Sequence, residues 1–147
     1  MAMLACEVVT PTKQIFTGAA SEVIVPSSGG SMGILPGHEM FACRMKNGIV
    51  TVYTDETRST KIEFVTYMGF TEVSADRVIV LAREGILLED IKVAEVTAKR
   101  DELKAKMDAL SEGDLSTQNE RAARIHRGTI KDELQWCETQ LAAVANR

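Results

Sequence analysis

Arg77-Val78-Ile79-Val80-Leu81-Ala82 is a run of β-branched and apolar residues, and a few positions later Glu89-Asp90-Ile91-Lys92-Val93-Ala94-Glu95-Val96 opens a stretch written mainly in Ala, Glu, Lys, Leu and Arg. The first text suits a pleated strand, the second a helix. No proline occurs after the change, and glycine becomes rare. The expected fold class is therefore α+β: an antiparallel β-sandwich over residues 1–88, then an antiparallel two-helix hairpin over 89–147, with the boundary near Leu88 to Asp90.

Working back from that boundary, short apolar runs alternate with turn residues from Leu4 onward, the spacing of a sandwich or barrel. Glu22-Val23-Ile24-Val25 and Lys61-Ile62-Glu63-Phe64-Val65 read as strands, and Ser74-Ala75-Asp76 as the turn before Arg77. Phe41, Cys43 and Met45 alternate with Ala42, Arg44 and Lys46. Asn47-Gly48 then predicts a tight hairpin turn into Ile49-Val50-Thr51-Val52-Tyr53. Ser27-Ser28-Gly29-Gly30-Ser31 reads as a flexible surface loop.

Working forward, Val93, Val96, Leu103, Met107 and Leu110 fall on one helical face, interrupted by Arg100. Ser111-Glu112-Gly113-Asp114 is a turn by composition, and Ser116 or Thr117 with Glu120 resembles a capped helix start. Ile130, Leu134, Cys137, Leu141 and Val144 form the second stripe. Both stripes are narrow. A buried aliphatic side chain contributes about 1.5–3 kcal/mol, whereas ordering each residue costs about 1–2 kcal/mol, so the hairpin is expected to need the β domain or a partner to dock on.

Composition excludes several function classes. A formal net charge of -4 argues against broad contact with nucleic acid or anionic lipid, which need clustered Lys and Arg. No apolar run approaches the roughly 20 residues that span a bilayer. The opening residues lack the features of a secretion or import sequence, and Cys6, Cys43 and Cys137 form no CxxC pair, so a reducing cytoplasm is the expected setting.

Motifs for phosphate loops, zinc proteases, serine hydrolases and dinucleotide binding are missing. With only His38 and His126, no site of several histidines can form in one chain, and no metal site or cofactor is expected. Cys43 with His38 is the one conceivable nucleophile pair, against which Cys43 shares the phase of Phe41 and Met45 and reads as core. Arg121, Arg124, Arg127 and Lys131 line one face of the second helix, an ordinary solvated face on spacing alone. A generic adaptor with a coiled-coil tail is the remaining alternative.

Gly33-Ile34-Leu35-Pro36-Gly37-His38 after a Gly/Ser loop, and Gly69-Phe70-Thr71-Glu72-Val73 leading into Val78-Ile79-Val80-Leu81-Ala82, resemble the ATP synthase epsilon family in order and spacing over nearly the whole chain. The resemblance implies a non-catalytic place on the central stalk, with the sandwich binding the gamma subunit and resting on the ring of c subunits. Ser31, Met32, Gly33, Pro36, Gly37, His38 and Glu39 would form that contact. The hairpin would fold onto the sandwich or extend toward the alpha-beta head and restrain ATP hydrolysis, with Arg121, Arg124, Arg127 and Lys131 meeting an acidic segment of the beta subunit. The implied location is peripheral, on the cytoplasmic face of a bacterial inner membrane or the stromal side of a plastid thylakoid.

The chain also departs from family patterns. Gly29-Gly30-Ser31 stands where many relatives carry an acid, and Met40 where they carry proline. At the ATP-binding pattern of some bacterial relatives, Lys92 and Glu95 occupy the Asp and Arg positions, so no ATP binding is expected.

Overall fold

The computed structural model describes residues 2–112 and 120–146. The chain divides into two compact units, Met1–Ile91 and Lys92–Arg147. The first holds eight strands: β1 (Leu4–Val9), β2 (Gln14–Ala20), β3 (Glu22–Ser27), β4 (Gly30–Ile34), β5 (Phe41–Arg44), β6 (Gly48–Tyr53), β7 (Lys61–Val73) and β8 (Arg77–Leu87). A 3-10 turn over Leu88–Asp90 ends the strand region. The second unit holds α1 (Val93–Glu112) and α2 (Glu120–Ala145).

β7 and β8 are long enough to serve two layers. The first half of β7 pairs with β6, which continues through β3 to β4; its second half pairs with β5, and β8 carries the sheet onward through β1 to β2. All these pairings are antiparallel except β1 with β8, where Ala5 to Val9 lie parallel to Arg77 to Leu81. The sandwich core lies between the layers, and includes Leu4, Cys6 and Val8 of β1, Val23 and Val25 of β3, Val50 and Val52 of β6, Phe64 of β7, and Val78 and Val80 of β8.

On β7 every residue from Phe64 to Tyr67 is buried, whereas beyond Met68 burial alternates, with Gly69, Thr71 and Val73 enclosed. Met68, between these two stretches, has a φ of 52°, a left-handed conformation uncommon for a side chain of its size.

The hairpin expected at Asn47-Gly48 does not form. β5 and β6 never pair with each other; both lie against β7, Arg44 opposite Phe70 and Gly48 opposite Thr66. Neither Asn47 nor Gly48 adopts the positive φ that such a turn requires. Asn47 instead accepts the Met68 N–H on Oδ1 at 2.8 Å, filling the gap that the strand ladder leaves at Met68. The expected Ser27–Ser31 loop is a hairpin turn at Ser28-Gly29, with Gly30 (φ 116°) already paired to Ser27 and Ser31 to Pro26.

In the helical unit, Leu103, Ile130 and Cys137 form a core against which Val96, Met107, Leu110 and Leu134 pack. Val93, expected on that stripe, is exposed, because it stands in the first turn of α1, ahead of the Val96 to Leu110 packing. Ser111 and Glu112 belong to α1 rather than to a turn. Gly113, Asp114 and the cap candidates Ser116 and Thr117 lie outside the described residues. No helix among the described residues is long and apolar enough to cross a membrane.

Candidate functional site

The candidate surface is built from β4 and the turn that follows it. Pro36 occupies the second position of a four-residue turn closed by the His38 N–H on the Leu35 carbonyl at 3.2 Å, and Gly37 takes the third with φ 81°. Proline then glycine with that φ defines a type II turn, which explains the order Leu-Pro-Gly-His. The Gly37 N–H donates to Ala75 at 2.8 Å, pinning the turn to the β7–β8 connection. His38 sets Nδ1 against the Glu39 carbonyl at 2.9 Å and its ring 4.9 Å from that of Phe41.

The expected contact residues do not converge. Ser31 lies at the hairpin end of β4 and His38 beyond the other end, so the strand, about 3.3 Å per residue, separates them. Ser31 and Gly33 are exposed, whereas Met32 packs against the sandwich core. Leu35 is 49% exposed and Met40 79%. These two apolar residues flank the turn, and composition alone did not single them out. The signal was legible: large apolar residues on either side of a surface Pro-Gly turn have no core to enter.

Beside this turn, Met40, Phe41, Glu72, Ser74, Arg77 and Ile79 line an open concavity of about 420 Å³. Burial raises the Cys43 thiol above its ordinary value, the opposite of what thiolate chemistry needs. Cys43 is half-buried rather than fully enclosed.

On α2, Arg121, Arg124 and Lys131 are exposed. Arg127 is half-buried and donates from Nη2 to the Leu110 carbonyl at 3.2 Å. The last turn of α1 carries no basic residue of its own, so this guanidinium answers its partial negative charge from the neighbouring helix. Lys92 and Glu95 lie 3.8 Å apart, both exposed.

The family model for the ATP synthase Delta/Epsilon chain beta-sandwich domain matches residues 3–87. The chain belongs to the ATP synthase epsilon chain family. It is 34% identical over 122 residues to the ATP synthase epsilon chain of Myxococcus xanthus, covering 83% of this chain and 88% of that one. It is 34% identical over 144 residues to ATP synthase epsilon chain 2 of Ralstonia nicotianae, covering 98% and 94%. A chain in the solved Euglena gracilis mitochondrial ATP synthase superposes with a TM-score of 0.70 at 22% identity, over 98% of this chain and 82% of that one, a likeness of fold. As an epsilon-family chain it is a subunit of a larger enzyme and not the catalytic one.

Proposed function

We propose that this epsilon-family chain is a rotor subunit of the central stalk, coupling a ring of c subunits and the gamma subunit to the alpha-beta head. The exposed Leu35 and Met40, flanking a turn pinned by backbone hydrogen bonds, carry this reading. A rigid turn presenting apolar side chains loses little entropy on docking. The epsilon-chain relatives, and the likeness in fold to a chain of a solved ATP synthase assembly that contains F1 and c-ring, support the same partners. The sandwich contacts gamma and the ring through Ser31, Gly33, Pro36, Gly37, His38 and Glu39, with Met32 supporting them from the core side. The chain sits peripherally on the cytoplasmic face of a bacterial inner membrane, or its plastid equivalent.

The hairpin unit restrains ATP hydrolysis in this reading. Arg121, Arg124 and Lys131 offer exposed positive charge to an acidic segment of the beta subunit. Arg127 joins them only after releasing Leu110. The deciding experiment compares ATP hydrolysis by the assembled head carrying the full chain with the same head carrying a chain ending at Ile91. Faster hydrolysis with the short chain is expected. An unchanged rate, with the short chain still bound to gamma, would leave coupling without inhibition.

A further inference from the structure

Glu22 opens β3 with a carboxylate that the fold encloses: its side chain is only 10% exposed. Its Oε2 is ion-paired with the Arg58 guanidinium, and no other donor reaches that atom among the described residues. An enclosed carboxylate without a partner is strongly unfavourable, so the position of Arg58 matters to everything around Glu22.

Arg58 reaches this point from the β6–β7 connection. Its φ is 57°, disfavoured for a residue with a Cβ, yet its loop is tightly determined. The Arg58 N–H donates to the Asp55 carbonyl at 3.2 Å. The Asp55 carboxylate accepts the N–H groups of Ser59 at 3.1 Å and Thr60 at 2.7 Å. The guanidinium carbon lies 5.8 Å from the ring centroid of Tyr53, the residue opposite Glu22 on β6.

On the other side, the carboxylate lies over β4. A methyl group added at Gly33 would stand 2.7 Å from Glu22 Oε1, so the glycine leaves the space that the carboxylate fills. β4 is an edge strand, paired only with β3, and it runs directly into the Leu35–His38 turn. Glu22 therefore joins the edge strand carrying the docking surface to a rigid loop two strands away.

We propose that Glu22 and Arg58 are positioning residues, a clasp that sets β4 and the Gly33–Glu39 surface for the gamma subunit. This rests on the stalk reading above for its partner, though not for the clasp itself. A merely stabilising ion pair would shift the melting temperature and leave both the local exchange pattern and the affinity of the folded chain unchanged.

The test uses the full chain with Arg58→Ala, Arg58→Lys and Glu22→Gln, at a temperature where each is fully folded. Amide hydrogen exchange over residues 33–39 should quicken by about tenfold in Arg58→Ala and Glu22→Gln, with less change in Arg58→Lys and none at Val78 or Val80. Affinity for purified gamma subunit should fall by about tenfold in Arg58→Ala, and Glu22→Gln added to it should cost little more, because the two act as one unit. Unchanged exchange over 33–39 overturns the clasp whatever gamma does. Faster exchange with unaltered gamma affinity also overturns the positioning role, whereas a parent chain that fails to bind gamma removes the stalk reading and leaves exchange to judge the clasp.

Discussion

Burial, helped by the charge of Glu7, pushes the Cys6 thiol up to about 12 from an ordinary 9.0. The folded chain therefore keeps a proton between about pH 9 and 12 that the unfolded chain releases. Stability is unaffected by this group below pH 9 and declines above it, by about 1.4 kcal/mol per pH unit while only the unfolded thiol is ionised. Urea unfolding of the parent should weaken from pH 9 to 10.5 more steeply than that of Cys6→Ala. Equal slopes would mean that the thiol is more accessible than its place among Leu4, Val8 and Val78 implies. A second expectation concerns Gly37: alanine there must adopt φ 81° and should cost about 1 kcal/mol of stability by thermal melting. The turn at Gly37 was legible from Leu-Pro-Gly-His, since each residue type has one natural place in it. Glu22 was not legible, because a glutamate at a strand start usually faces water, and its partner lies 36 positions away in a loop with no distinctive composition.

At the scale of elements, the strand content of the first unit is readable from β-branched runs, but its connectivity at Asn47 is not. An Asn-Gly pair signals a hairpin only when the flanking strands are free to pair with each other. Here β7 offers one continuous partner to both, and Asn47 serves the ladder through its side chain. Asn47→Ala should thus leave the Met68 N–H without its partner and lower stability by about 1 kcal/mol. Met68→Gly should relieve the left-handed strain and raise stability by about 0.5–1 kcal/mol, both read from urea midpoints at constant slope. A stabilising Asn47→Ala would contradict the role given to this side chain. The helices were legible from their stripes, and five α2 positions, Ile130, Leu134, Cys137, Leu141 and Val144, are all at least half-buried. The tie from Arg127 to Leu110 was not legible, because spacing on one helix carries no information about a carbonyl on another.

For the whole molecule, the chain divides into a strand unit with its own core and a helical unit with a smaller one. The parallel pairing of β1 with β8 bears on how such a chain comes to be made. Leu4, Cys6 and Val8 leave the ribosome well before the strand beside which they settle, which is made only when Arg77 to Leu81 have followed. Until then the early hairpin of β1 and β2 holds apolar side chains with no second layer to receive them. Assembly of the sandwich thus waits on contacts distant in sequence, a topology that slows folding relative to helical bundles of similar size.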